Sequence, residues 1–300
     1  MKSAEGRRPS ALNRAYCSVP ELYDTPASPA TFRRRVLSWY RGSGRDLPWR
    51  HTRDPYRVLV SEVMLQQTQV ARVLPAYRRF LDRFPTLRAL SRAPLGDVLR
   101  EWSGLGYNRR ARDLHRIARR HSSVPRTAAE LDDLPGIGAY TASAVACFAF
   151  DQPTAFADTN IRRVLGRALL GRTATDREAI ALDARFGSRR KAARWHHALM
   201  DIGATICLAK RPRCDACPLR PLCDYDGDER PSRRKQSAFA ASDRRVRGAI
   251  LRLLVRSPRG VTVDALRTGI SDPRVERLVG TLAREGLVEV SSGTVRLPTR

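Results

Sequence analysis

Four cysteines near the end of the chain follow a spacing that chance rarely produces. Cys207, Cys214, Cys217 and Cys223 form the pattern Cys-x6-Cys-x2-Cys-x5-Cys. Four thiolates within one short loop can surround a single metal centre, which is either structural zinc or an iron–sulfur cluster. The x6 and x5 gaps of this pattern do not match the paired Cys-x2-Cys knuckles that are usual for zinc. The spacing therefore favours a [4Fe–4S] cluster without excluding zinc.

Disulfide bonds are the alternative use of these cysteines. The other two cysteines, Cys17 and Cys147, have no matching partners nearby in the sequence. Residues 1–29 contain scattered Pro, Ser and Arg without the hydrophobic segment of a secretory signal, and we interpret them as a disordered lead-in. Metal-like spacing in a chain of this size is typical of a reduced, cytoplasmic protein.

The charge of the chain indicates a polyanionic partner. The 56 basic and 30 acidic residues give a formal net charge of +26. Each phosphate that a basic side chain neutralises releases counterions, so such a surplus favours binding to nucleic acid. The longest apolar stretch, at 142–150, is far shorter than the ~20 residues that span a bilayer. We expect a nucleoid-associated protein without a membrane segment.

Helical periodicity dominates from residue 30 onward, and alternating strand patterns are almost absent until the last twenty residues. A polar, small-residue segment at 229–243 is typical of a linker. Beyond it, residues 244–300 predict three helices followed by a hairpin with Ser-Gly at its turn, an order typical of a winged helix. A helical tail that packs on the main domain is the alternative. Helices are predicted in the main part at 32–40, 56–67, 69–74, 95–102, 109–121, 128–133, 140–150 and 161–170.

A glycine pair marks the turn between two of these predicted helices. Gly136 and Gly138 lie in the segment LPGIGAYTA, at 134–142. Glycine allows positive φ and close approach of the backbone to a ligand, and the amides that open the next helix favour an anion. This is the design of a helix–hairpin–helix, which binds a DNA phosphate without reading bases. An ordinary helix–helix turn is the alternative.

Two carboxylates are candidates for acid–base chemistry. Asp158 precedes a predicted helix, where it could be a simple N-cap or could face a positive charge that develops on a sugar. Glu62 lies in VLVSEVMLQQT, a helix without a clean polar face. Burial there would raise its pKa and keep a proton available near neutral pH, whereas pairing with an arginine would lower it. One protonated and one ionised carboxylate are what hydrolysis of a glycosidic bond requires.

Five motifs occur in order along the chain: SEVMLQQTQV, GLGYNRRARDLH, LPGIGAYTA, ADTNIRRVL and the four-cysteine loop. Together they resemble the helix–hairpin–helix DNA glycosylases, and most closely the adenine DNA glycosylases of the MutY type. The resemblance covers roughly residues 30–226. It implies a mainly α fold, with a six-helix domain at about 53–150 inserted between the two parts of an iron–sulfur domain, at about 30–52 and 151–228. It also implies one [4Fe–4S] cluster.

The resemblance also implies a role for each catalytic residue. Glu62 corresponds to the acid that protonates an extruded adenine, and Asp158 to the carboxylate that stabilises an oxocarbenium-like sugar. Asn160 corresponds to the residue that helps to place the water. Tyr140 replaces the lysine of endonuclease III-type relatives, and no lysine lies between positions 2 and 191. We therefore expect a monofunctional glycosylase without strong lyase activity.

Further positions correspond to the DNA contacts of the family. Gln66, Gln67 and Thr68 match a loop that wedges into the duplex, and Tyr107 matches its intercalating aromatic. Arg211 and Arg213 of the cysteine loop are expected to contact phosphates. The expected partner is double-stranded DNA with a mismatched or oxidised base pair, bound by a monomer. The wall of the adenine pocket is expected at Arg45, Trp49, Arg50 and Leu65.

The C-terminal region differs from the long members of this family, which end in a Nudix-like domain that recognises 8-oxoguanine. Here the unit at 244–300 takes that place. The expected substrate is adenine opposite 8-oxoguanine or guanine. A glycosylase that removes thymine or uracil opposite guanine is the first alternative, because its motifs are largely shared. A non-catalytic iron–sulfur regulator is the second, although it would need no glutamate in an apolar helix.

Overall fold

The computed structural model describes residues 28–227 and 242–299 of the 300-residue chain. It forms two compact units. The first unit consists of Met1–Asp46 with Ala146–Ser232, and the second of Leu47–Val145 with Arg233–Arg300. Residues 1–27 of the predicted lead-in and 229–241 of the predicted linker lie outside the described residues, and Pro29, the last residue of the predicted lead-in, begins a helix. The domain boundaries proposed from the sequence therefore stay a prediction.

The first unit is built from helices that pack around a cluster of aromatic side chains. Phe32 contacts Phe186 edge to face, with 5.3 Å between ring centroids, and Trp195 lies on its other side. Beside this cluster, the buried Asp183 accepts hydrogen bonds from the indole of Trp195 at 2.6 Å and pairs with His196 at 2.8 Å. Its helices are α1 (Pro29–Ser43), α9 (Thr159–Leu170), α10 (Asp176–Phe186) and α11 (Ala192–Thr205). The last residues of α8 (Ala139–Phe150) also belong to this unit.

The second unit contains the candidate acid and the glycine-rich hairpin. Its core includes Phe80, whose ring contacts Phe84 at 5.1 Å and Trp102 at 5.9 Å. A short 3₁₀ turn, Pro48–Arg50, precedes its first helix. Its helices are α2 (Pro55–Leu65), α3 (Val70–Arg83), α4 (Leu87–Arg92), α5 (Leu95–Glu101), α6 (Arg109–Arg120), α7 (Ala128–Asp132) and the start of α8.

The C-terminal segment, residues 242–299, belongs to the second unit. It contains three helices and an antiparallel sheet with strand order β1-β3-β2. The hairpin turn at Ser292 and Gly293 has positive φ at both residues, as the predicted Ser-Gly turn requires. The predicted order of helices and hairpin is confirmed, and β1 was not expected. The elements are α12 (Asp243–Arg256), β1 (Val261–Thr262), α13 (Val263–Ile270), α14 (Val275–Arg284), β2 (Glu289–Ser291) and β3 (Thr294–Arg296).

Most predicted helices are confirmed. The N-cap residue of α3 is Gln69, which makes no side-chain cap hydrogen bond. The hydroxyl of the preceding Thr68 donates to the carbonyl of Gln66 and accepts from Arg110. Among the described residues, no helix is both long and apolar enough to cross a membrane.

Candidate functional site

Glu62 is the acidic residue of the mostly buried helix α2. Asp54 caps this helix by accepting from the amides of Tyr56 and Arg57, and Pro55 occupies its first position. From Val58 to Met64 every residue is buried, and Glu62 is only 7% exposed. Such burial removes water from around the carboxyl group. The predicted burial of Glu62 is confirmed.

Arg110 fixes the end of this helix. Its guanidinium donates to the carbonyl oxygens of Val63, Met64 and Gln66, at 2.8, 2.9 and 2.6 Å. It also donates to Gly106 at 3.1 Å, so it joins the last turn of α2 to the turn before α6. Burial lowers the pKa of Arg110 to about 10, which leaves it charged at neutral pH. A single cation thus satisfies the helix carbonyls that follow Glu62.

The turn that Arg110 holds presents an exposed aromatic side chain. Tyr107 has a φ of 48° and is 44% exposed, and the Arg110 guanidinium lies 5.5 Å from its ring centroid. Gln67, at the end of α2, also has a positive φ, of 55°. Positive φ is uncommon outside glycine and is tolerated where the surroundings fix it. Wedging into DNA stays a prediction for both residues.

The glycine hairpin lies within hydrogen-bonding reach of the same loop. The Gln66 amide donates to the carbonyl of Gly136 at 3.3 Å and to the Thr141 hydroxyl at 3.2 Å. Gly136 has a φ of 76°, and a Cβ there would lie 3.2 Å from Asp113, so glycine is required. Gly138 has open space around it, and α8 begins immediately afterwards. Tyr140, the second residue of α8, is half-buried.

In the first unit, Asp158 starts a chain of hydrogen bonds at the N-terminus of α9. Its carboxylate accepts from the amides of Asn160 and Ile161 at 2.9 and 2.7 Å, and from the Asn160 side chain at 2.8 Å. The Asn160 oxygen accepts from Arg163, which also donates to the carbonyls of Gly203 at 2.6 Å and Cys207 at 2.5 Å. The N-cap interpretation of Asp158 is confirmed. These N–H donors hold the Asp158 carboxylate at the N-terminus of α9.

The four predicted metal-ligating cysteines are free thiols of intermediate exposure. Burial, and after it the charges of Cys207, Cys223 and Cys214, raise the pKa of the Cys217 thiol to about 11, so the four thiols are close enough to interact. Among residues 28–227 and 242–299, no three or more His, Cys, Asp or Glu residues are placed to hold one metal ion. Four thiols in one loop are a donor set that either structural zinc or an iron–sulfur cluster takes.

Arg167 supports this cysteine loop. Its guanidinium donates to the carbonyls of Leu208 and Ala209 at 2.8 and 3.2 Å and lies 3.8 Å from the Cys207 sulfur. It also stacks on the ring of Tyr225, 4.4 Å from the centroid. The loop is therefore held by a buried cation.

The residues predicted to line an adenine pocket have other contacts. Arg45 belongs to the first unit, where it pairs with the buried Asp201 at 2.6 Å. Trp49 belongs to the second unit, where its ring contacts Tyr77 edge to face at 5.3 Å. Arg50 and Leu65 are both partly exposed. Their role in base recognition stays a prediction.

Sequence reasoning missed Arg110 and Arg163. Both stand in a motif that carries the family resemblance, but in an arginine-rich chain neither stands out. A signal was available for Arg110, which occupies a buried position of an amphipathic helix. A charged residue at such a position needs partners, and here the partners are backbone carbonyls at the end of the helix that carries Glu62.

Comparisons with known proteins agree with this description. Residues 60–186 match the family described as "HhH-GPD superfamily base excision DNA repair protein". An adenine DNA glycosylase of Mycobacterium tuberculosis is 44% identical over 234 residues, covering 73% of this chain and 77% of the relative. That of Mycolicibacterium smegmatis is 42% identical, covering 85% of this chain and 91% of the relative. The adenine DNA glycosylase of Rattus norvegicus is 41% identical, and the match covers 74% of this chain and 49% of the relative.

Solved structures share the fold. A thermostable thymine-DNA glycosylase superimposes with a TM-score of 0.58 at 31% identity, covering 66% of this chain and 95% of that chain. A non-covalent endonuclease III–DNA complex gives a TM-score of 0.56 at 24% identity, with the same coverage. At 24% identity, the likeness to the endonuclease III complex shows only that the fold is shared.

Proposed function

Because the chain belongs to the HhH-GPD superfamily of base excision DNA repair proteins, and within it to the adenine DNA glycosylases, we propose that it hydrolyses the N-glycosidic bond of adenine mispaired with 8-oxoguanine or guanine. The observation that carries this proposal is the burial of Glu62. This residue is buried in an apolar helix whose end is tied to the exposed Tyr107 turn. A protonated carboxyl there can serve as the general acid.

The two carboxylates perform different steps of one hydrolysis. Glu62 donates its proton to a ring nitrogen of the extruded adenine, so the base leaves neutral when the bond to the sugar breaks. Asp158 stabilises the positive charge that develops on the deoxyribose. Water then adds to the sugar carbon and gives its proton to the Glu62 carboxylate, which restores the acid. Asn160, hydrogen-bonded to Asp158 at 2.8 Å, is suited to place that water.

Tyr140 determines the class of product. Strand cleavage by a glycosylase requires an amine that forms a Schiff base with the sugar. Tyr140 has no amine, and no lysine lies between positions 2 and 191. The product is therefore an abasic site in an intact strand.

We assign one [4Fe–4S] cluster to Cys207, Cys214, Cys217 and Cys223. When bound, the cluster supplies a structural cross-link of the loop that they share. Arg211 and Arg213 are exposed in that loop, where they contact phosphates of double-stranded DNA. The protein acts as a monomer on nucleoid DNA.

A second candidate function is supported by one likeness. The thermostable thymine-DNA glycosylase is 31% identical over most of its length, so removal of thymine or uracil opposite guanine is the competing activity.

The discriminating experiment uses four duplexes that carry A:8-oxoG, A:G, T:G and U:G pairs. Each is incubated with the protein, and abasic sites are then cleaved with alkali. We expect strand breaks in the two adenine duplexes, and only after alkali. Product from T:G or U:G alone would favour the competing activity, and breaks before alkali would contradict the monofunctional assignment.

A further inference from the structure

Asp158 lies at the end of a segment without regular secondary structure. Residues 151–158 join α8 to α9 in the first unit and contain neither helix nor strand. The hydrogen bonds that Asp158 accepts come from α9, so they fix its conformation but not the path of the segment before it. Phe156 is the one buried residue of 151–158, at 2% exposed. The position of Asp158 therefore depends on the groups that hold Phe156.

A buried carboxylate of α10 holds Phe156 by its backbone. The Phe156 amide donates to Asp183 Oδ2 at 3.2 Å, and the same oxygen pairs with His196 Nε2 at 2.8 Å. Asp183 Oδ1 accepts from the indole of Trp195 at 2.6 Å. A buried carboxylate that loses one of its donors is left partly unsatisfied, which is costly. Asp183 therefore favours the arrangement in which the Phe156 amide stays beside it.

The side chain of Phe156 is held by the same cluster. Its ring stacks on the imidazole of His196, with 3.9 Å between centroids and 16° between planes. Phe148 of α8 contacts the Phe156 ring edge to face at 5.8 Å. His196 Nδ1 lies 2.9 Å from the carbonyl oxygen of Ala192, which fixes the imidazole on α11. His196 thus contacts both the carboxylate that binds the Phe156 backbone and the Phe156 ring.

The cluster also contains a thiol, because the Cys147 sulfur lies 3.7 Å from His196 Nδ1. A cysteine, a histidine and a carboxylate together are typical of a nucleophilic site, but Cys147, His196 and Asp183 are only 0%, 2% and 3% exposed, out of reach of a substrate. We propose that Asp183 and His196 are positioning residues, which set the place of the Asp158 carboxylate by holding Phe156, two residues before it. This inference rests on the proposed function and adds two residues that do not touch DNA.

A charged analogue of the sugar tests the position of Asp158 directly. A pyrrolidine nucleotide opposite 8-oxoguanine carries a protonated nitrogen in place of the developing positive charge, whereas a tetrahydrofuran nucleotide has the same shape without the charge. Full-length protein is titrated with both duplexes by fluorescence anisotropy. We expect the wild type to prefer the pyrrolidine, and Asp183→Asn to lose about fivefold or more of that preference with nearly unchanged affinity for the tetrahydrofuran duplex. Phe156→Leu, which keeps the amide and removes the ring stack, should lose about twofold or more.

Single-turnover excision from an A:8-oxoG duplex is measured in parallel, with the amplitude read separately from the rate constant. We expect the rate constant of Asp183→Asn to fall about tenfold or more. Phe32→Leu is the matched control, because Phe32 is a buried ring of the same unit that contacts Phe186 and Trp195. Lost stability reduces the fraction of active molecules, so this control should lower the amplitude and the Tm and leave the rate constant and the preference unchanged.

A preference and a rate constant in Asp183→Asn and Phe156→Leu that equal those of Phe32→Leu would overturn the inference. If Asp183→Asn yields no folded protein, the milder Phe156→Leu decides by the same two readouts. Excision by the wild type with unchanged values in the variants refutes only the positioning role of the cluster. Absent excision by the wild type refutes the proposed function.

Discussion

At the residue scale, Asn160 links the Asp158 carboxylate to the backbone of the cysteine loop. It donates to Asp158 and accepts from Arg163, which is bonded to the carbonyl of Cys207. Asp158 could be recognised from the sequence because an aspartate before a helix is a familiar cap. The link through Arg163 could not, because it depends on residues about 40 positions away that only the tertiary fold brings near.

Gly203 makes this link sensitive to a single methyl group. A Cβ at Gly203 would lie 2.5 Å from the Cβ of Asn160, so Gly203→Ala must displace Asn160. We expect the single-turnover excision rate to fall by about 10²-fold, the typical cost of a 1 Å misplacement, while DNA affinity is retained. Gly42→Ala is the control, because no atom lies within 4 Å of the Cβ it adds. An excision rate equal to that of Gly42→Ala would mean that the position of Asn160 does not matter.

At the element scale, α2 depends on a side chain from α6 for its C-terminus. Arg110→Ala removes the donor from three carbonyls and leaves them buried. We expect a loss of about 2–4 kcal/mol in the free energy of unfolding, measured by urea denaturation. Arg116→Ala, which removes an exposed arginine 3.9 Å from Asp113, should cost less than about 1 kcal/mol. Similar losses in both variants would contradict the role given to Arg110.

Helix prediction succeeded where apolar periodicity was strong and failed where other signals were needed. Helices α4, α10 and α11 were not predicted. α10 begins with a complete capping box, Thr175 with Glu178, which is a recognisable start signal. α11 carries Trp195, Leu199 and Ile202 on a buried face, in a stretch without an obvious N-cap. The capping pattern would have found α10, whereas α11 is held mainly by packing in the first unit.

At the scale of the whole molecule, Glu285 attaches the C-terminal segment to the rest of the second unit. Its carboxylate is bound by Arg109 of α6 and Arg247 of α12, and its carbonyl accepts from Arg112. Burial raises the pKa of Glu285, but the two arginines outweigh burial and lower it to about 2. The identity of such a docking residue could not be predicted, because nothing in the sequence pairs position 285 with position 109.

The low pKa of Glu285 gives a pH dependence of known sign. Its contribution to stability is complete above the ordinary glutamate pKa of about 4.5, and it is lost as the pH falls toward 2. The Tm of Glu285→Gln should therefore lie below that of the wild type at pH 7, and the difference should shrink between pH 4.5 and 2. Asp264→Asn, at an exposed carboxylate, should show no such difference. A gap that persists at pH 2 would exclude the ion pairs as its cause.

The central claim is that a buried acid at position 62 drives the release of adenine. The most direct test is single-turnover excision from an A:8-oxoG duplex by Glu62→Gln, beside Glu276→Gln, which changes an exposed glutamate of α14 in the same way. We predict that Glu62→Gln slows excision by about 10²–10⁴-fold while the dissociation constant stays nearly unchanged, and that Glu276→Gln behaves as wild type. Excision by Glu62→Gln at the wild-type rate would contradict the account.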